Sequence, residues 1–158
     1  MAKIKPFKAL RYTSGAGEIK ELVCPPYDII SEEQRIALLE KNENNLIRLE
    51  LPRGEEPYKT AAGIFADWLE KETVKCDDED GIYVYEEKFE VEGVNYSLKG
   101  FVSLVRLEEF SKGVILPHEE TLSKAKQDRF NLMTETGCSF SQIYSLYMDP
   151  DNKVTSIV

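Results

Sequence analysis

The chain has 158 residues, 42% of them hydrophobic and 31% charged, with a formal charge of −9; this is room for one ordinary domain with a real core. The acidic balance argues against DNA or other broad nucleic-acid binding, which needs a cationic footprint. No apolar run approaches the roughly 20 residues of a membrane span, and the start, Met-Ala-Lys-Ile-Lys-Pro-Phe, lacks the apolar core of a secretory signal. Cys24, Cys76 and Cys138 are odd in number and lack metal-ligand spacing, so neither a disulfide framework nor a zinc site is indicated. A cytoplasmic protein is expected.

Phe7 to Thr13 reads as a first strand, followed by a glycine turn at Ser14-Gly15-Ala16-Gly17. Ile19 to Cys24 has the short apolar character of another strand and stops at Pro25-Pro26. Those prolines stiffen the backbone and present Tyr27-Asp28 in a fixed way. A carboxylate held so suits a general base or a magnesium ligand; equally, Asp28 could cap the next turn. Ser31-Glu32-Glu33-Gln34 carries the capping-box pattern that opens a helix, expected over 31–41.

Asn45 to Leu51 sets Leu46, Arg48 and Glu50 against Ile47, Leu49 and Leu51, the alternation of a half-buried strand. Helical spacing returns over 58–71, where Ala61, Ile64, Phe65, Trp68 and Leu69 share a face and Trp68 belongs to the core. After the acidic turn at 76–81, Ile82 to Val91 and Asn95 to Leu107 form two long strands joined by Glu92-Gly93, a hairpin signal. Ser141 to Met148 reads as a last strand, and an apolar element begins at Val154.

The stretch from Pro117 to Met133 carries the densest chemistry. It holds the sole histidine, His118, beside Glu119 and Glu120 and ahead of a helix over 123–136. On a helical wheel Leu122, Ala125, Phe130, Leu132 and Met133 gather on one face. Lys126 and Arg129, spaced i and i+3, project from the middle of that apolar face. A charge aimed at a core must be paired or must line a cleft, since burying it alone is very costly. Either the long stems snorkel to water or meet a buried carboxylate, or they face an anion cleft at a helix start, entered past His118 and Glu119.

With Pro25-Pro26-Tyr27-Asp28-Ile29-Ile30, Arg48-Leu49-Glu50-Leu51-Pro52 and Pro117-His118-Glu119 through Lys126-Gln127-Asp128-Arg129 in place, the chain resembles the domain-of-unknown-function family one thousand and fifteen. Ile82-Tyr83-Val84-Tyr85 and Gly100-Phe101 extend the likeness over almost the whole chain. Members of that family are usually well over twice this length. The resemblance therefore implies a single domain over 1–158 that is the N-terminal part of a longer protein. That family is similar to the ParB/sulfiredoxin superfamily and its free serine kinases. The resemblance implies an α+β fold, a ParB/sulfiredoxin-like mixed sheet with about three packed helices.

By position, His118, Thr121, Lys126 and Arg129 would be the phosphate or nucleotide contacts that the resemblance implies. Asp28 and Glu119 would be the acidic residues that deprotonate a hydroxyl and hold magnesium. None of the cysteines lies beside His118, which sets aside sulfinic-acid reduction. The expectation is a nucleotide- or phosphate-binding domain with a small-molecule ligand. As an enzyme it would move a phosphoryl group from a nucleotide, ATP or ADP with Mg2+, to a hydroxyl such as that of serine. The alternative is a non-catalytic regulatory or partner-binding module that only holds the nucleotide.

Overall fold

A computed structural model describes residues 2–118, 120 and 122–157. Its α+β chain divides into two units, and each has its own logic. Among the described residues, no helix is long and apolar enough to cross a membrane.

The helical unit comprises Leu10–Cys76 and Glu119–Gln142. Strand β2 (Leu10–Tyr12) pairs antiparallel with β3 (Val74–Cys76). Between them run helices α1 (Ile19–Leu22), α2 (Glu32–Lys41), α3 (Ile47–Glu50) and α4 (Pro57–Glu70); α5 (Ser123–Thr136) comes later in the chain. Helix α2 starts as its sequence predicts. The Ser31 hydroxyl accepts from the Gln34 N–H at 3.3 Å and the Gln34 side chain accepts from the Ser31 N–H at 2.8 Å. Pro57 occupies the first turn of α4, where its missing N–H costs nothing. Ala61, Phe65 and Trp68 recur one helical turn apart and are buried. With Leu49, Val74 and Leu132 they form the core of this unit. The Trp68 ring meets Tyr12 at 5.7 Å, and Phe65 meets Phe140 edge-on at 5.4 Å.

The sheet unit comprises Met1–Ala9, Asp77–His118 and Ile143–Val158. Strand β1 (Ile4–Lys5) pairs with β6 (Leu104–Val105), and Phe7 bridges Gly81. The long hairpin joins β4 (Tyr83–Val91) to β5 (Val94–Val102) in one unbroken register from Tyr83 opposite Val102 to Val91 opposite Val94. Glu92 and Gly93 both have positive φ, at 51° and 79°. This is the two-residue turn whose twist matches its strands.

Several sequence expectations fail. The single mixed sheet is replaced by three separate two-stranded antiparallel pairings. Ile19 to Cys24 is not a strand but one helical turn, with Leu22 buried and Ile19 exposed. Ser141 to Met148 forms no strand, and Val154 to Ile157 is turn. The most instructive miss is Asn45 to Leu51, which coils into α3. Asn45 is fully buried. Its Oδ1 accepts from the Ile47 N–H at 3.0 Å, while its Nδ2 donates to the carbonyls of Glu21 at 2.6 Å and Val23 at 3.2 Å. One amide thereby starts α3 and ties it to the end of α1, a local bond that competes with any strand pairing.

Asn45→Ala leaves the buried Ile47 N–H and two part-buried carbonyls without their side-chain partner. It is expected to destabilise the helical unit by about 3 kcal/mol, read as a lowered urea midpoint, whereas exposed Glu43→Ala should shift it little.

Candidate functional site

Helix α5 faces inward with a stripe different from the apolar one its sequence suggested. Ala125, Asp128, Arg129, Asn131, Leu132 and Thr136 are the shielded positions, which recur about once per helical turn. Leu122, Phe130 and Met133 are exposed instead. The helix is therefore rotated so that its two central charged residues, not its bulkiest apolar ones, turn inward, Arg129 to α3 and Asp128 to α4. Gly137, in the left-handed region at φ 65°, ends it.

Arg129 is the hub of a polar cluster. One terminal nitrogen donates to Glu50 Oε2 at 2.6 Å. The other donates to the Glu50 carbonyl at 2.9 Å and to Asp128 Oδ2 at 2.5 Å. Its Nε donates to the same Asp128 oxygen at 3.0 Å. Four of five N–H donors are thus engaged. Glu50 is buried, and its other carboxylate oxygen accepts from the Ser141 hydroxyl at 2.5 Å. Asp128 is anchored on its far side by the Tyr58 hydroxyl at 2.9 Å. The Tyr27 ring covers the guanidinium, with Cζ 4.1 Å from the ring centroid.

Three of the stretches singled out by sequence therefore meet at one point: Tyr27 from Pro25-Pro26-Tyr27-Asp28, Glu50 from Arg48-Leu49-Glu50-Leu51-Pro52, and Asp128-Arg129. Two carboxylates face one guanidinium, so the cluster carries a net negative charge when all three are ionised. Burial, then the hydrogen bond to Asp128, raises the Tyr58 phenol above its ordinary value. Burial, with the Glu50 carboxylate second, pushes the Cys24 thiol up to about 11.

The remaining candidate residues are more scattered. Asp28 is exposed, on the 3₁₀ turn Tyr27–Ile29 directly beside the ring that covers Arg129. Lys126 is exposed, one helical turn before Arg129. His118 is exposed and belongs to the sheet unit, not the helical one. Glu119 and Thr121 lie outside the described residues. Among the described residues no group of three His, Cys, Asp or Glu side chains could hold a metal ion. Sequence reasoning missed Glu50, Asp128, Tyr58 and Ser141. The signal for Glu50 was a carboxylate inside the apolar run Leu46 to Leu51.

These features define an α+β domain whose helical unit closes around a half-buried arginine. The chain belongs to the family described as Protein of unknown function (DUF1015), whose profile matches residues 4–158. No curated protein and no solved structure matches it.

Removing one partner of a buried ion pair leaves the other charge stranded. Arg129→Ala is therefore expected to cost roughly 3–5 kcal/mol of stability, seen as a large fall in the thermal midpoint without any ligand. Arg129→Lys should recover only part, because an ammonium cannot serve Glu50 and Asp128 as a fork does.

The Cys24 thiol gives a second measurable outcome. A pKa of about 11 against about 8.5 for a free cysteine leaves it over 100-fold poorer in thiolate near neutral pH. Iodoacetamide at pH 8, with peptide mapping afterwards, should label exposed Cys76 well before Cys24. Because the folded state holds this proton more tightly than the unfolded one, stability from this group falls as pH rises from about 9 towards 11.

Proposed function

We propose that the helical unit binds a phosphorylated small molecule or nucleotide beside Arg129, and that a small-metabolite kinase activity is the use made of it. The observation that carries this reading is the Tyr27 ring seated on the Arg129 guanidinium. It brings the stiff Tyr27-Asp28 presentation against the same helix that exposes Lys126. Lys126 would supply a point charge for phosphate. Asp28, one residue from the ring that covers the guanidinium and open to solvent, would accept the proton of an attacking hydroxyl such as that of serine. A ParB/sulfiredoxin-like arrangement is the fold-level form of the same proposal, with Glu119 and Thr121 as the further contacts that the family resemblance implies.

The engaged donors of Arg129 change the role assigned to it. With Glu50 and Asp128 already occupying its fork, Arg129 serves this reading chiefly as the post that holds Tyr27-Asp28 and α5 in place. Magnesium in phosphoryl-transfer sites keeps several waters and leans on one or two carboxylates plus the nucleotide phosphates. With Asp28 given to the hydroxyl's proton, the ion would be held chiefly through the nucleotide phosphates and its own waters. The ion, bound with ATP or ADP, would neutralise charge on the transferred group.

Calorimetric titration with ATP, ADP and inorganic phosphate, with and without magnesium, tests the binding. Affinity should weaken as salt is raised, because the contact is charge on charge. Lys126→Ala should lower it several-fold with an unchanged thermal midpoint. Incubation with nucleotide, magnesium and serine, with mass spectrometry for phosphoserine, tests the chemistry, and Asp28→Asn should abolish the product while binding persists. Binding without any phosphate ester would favour the non-catalytic nucleotide-binding module. Failure of ATP, ADP and phosphate alike to bind would remove both.

A further inference from the structure

Two of the three thiols come to one border of the helical unit's core. Strand alternation turns Lys75 of β3 to one face and Val74 and Cys76 to the other. Val74 is part of the core, so the face it shares with Cys76 is the inner one. The register agrees. Cys76 lies opposite Leu10, which packs against the same core, and directly opposed residues share a face. Cys76 is the last residue of β3 and is exposed, so it stands at the rim of that core.

Cys138 reaches the same core from the end of α5. The Thr136 hydroxyl donates to the Leu132 carbonyl at 2.8 Å and accepts from the Cys138 N–H at 3.3 Å. That turn seats Cys138, half-buried, against the cluster that contains Val74 and Leu132. The two thiols are close enough to sense each other: burial, then the charge of Cys76, raises the Cys138 thiol above its ordinary value. Cys24 has other company, since the charge its thiol senses is that of Glu50.

We propose that Cys76 and Cys138 are a redox pair, which a hydroperoxide joins into a disulfide stapling the end of β3 to the end of α5 and a small thiol opens again. Exposed Cys76 reacts first. Its thiolate sulfur attacks one peroxide oxygen and the O–O bond breaks. The far oxygen leaves with the bonding pair and takes a proton, as water or an alcohol, so that Cys76 becomes a sulfenic acid. The Cys138 sulfur then attacks the Cys76 sulfur. Its S–H proton departs with the displaced hydroxide as water, and the S–S bond forms. The two thiols together lose two electrons and the peroxide gains them. A disulfide requires its Cα atoms within about 7 Å, so formation of the bond in the folded protein reports the distance directly. Since α5 also carries Arg129, the staple tightens the helix that the Glu50 pair anchors.

The test uses the full chain in native buffer. After hydrogen peroxide and non-reducing digestion, peptide mapping should find Cys76 joined to Cys138 in protein of 18.1 kDa, with Cys24 unlinked. Dithiothreitol should restore both thiols. Cys138→Ser should leave Cys76 as a sulfenic acid that dimedone traps. The linked parent chain should show a higher urea midpoint than its reduced form. Dimedone on Cys76 of the parent chain, with Cys138 still a free thiol, would overturn the proposal. So would a linkage that joins two copies, runs through Cys24, or forms only in urea. A linked chain with an unchanged urea midpoint would overturn its role as a staple.

Discussion

The contact between Arg129 and Glu50 is the constraint on which the helical unit depends. Glu50 sits beside Leu49 in the core with its side chain only 4% exposed. A carboxylate there is tolerable only because a guanidinium and a hydroxyl meet both of its oxygens. The same guanidinium also takes the carbonyl at the end of α3, a group the short helix leaves without an internal partner. One side chain therefore joins α5 to α3, and through Ser141 the segment after α5 is drawn to the same point.

Apolar packing and this polar cluster divide the labour. Leu132, Phe65 and Trp68 belong to one buried apolar cluster shared by α4 and α5, but such contacts are non-directional and survive small slides. The two bonds from the Arg129 guanidinium to Glu50 do not, and they hold α5 to α3. Tyr58 on α4, through Asp128, supplies the directed bond between α4 and α5. Their axial register is thereby fixed by hydrogen bonds and their affinity by hydrophobic area.

Elements with strong local signals were legible in the sequence. The capping box at Ser31, the turn-spaced stripe through Trp68 and the Glu92-Gly93 turn each formed within a residue or two of expectation, and α5 spans 123–136 as read, although the strand expected to reach Leu107 ends at Val102 and Leu104–Val105 pairs with β1 instead. The run from Asn45 to Leu51 was illegible because its alternation fits a strand and its Asn45 amide, which decides for a helix, has partners over twenty residues away. That error hid Glu50. In a strand it shares a face with Arg48 and points to water, whereas in α3 it turns to the core. The inward aim of Arg129 was readable from α5 alone, and an internal carboxylate was one of its two destinations. The helix phase was not readable. Phe130 and Met133 are apolar, yet the charged pair Asp128-Arg129 has the better-matched partners and takes the inner position.

Trp68 is the sole tryptophan, and it is sealed in the core of the helical unit. Five of the eight tyrosines, Tyr83, Tyr85, Tyr96, Tyr144 and Tyr147, lie in the sheet unit instead. Indole emission therefore registers the melting of one half of the molecule and is blind to the other. Phenolic absorbance is weighted the opposite way. The protein carries, in its own chromophores, a means of asking whether its two units come apart together or in turn.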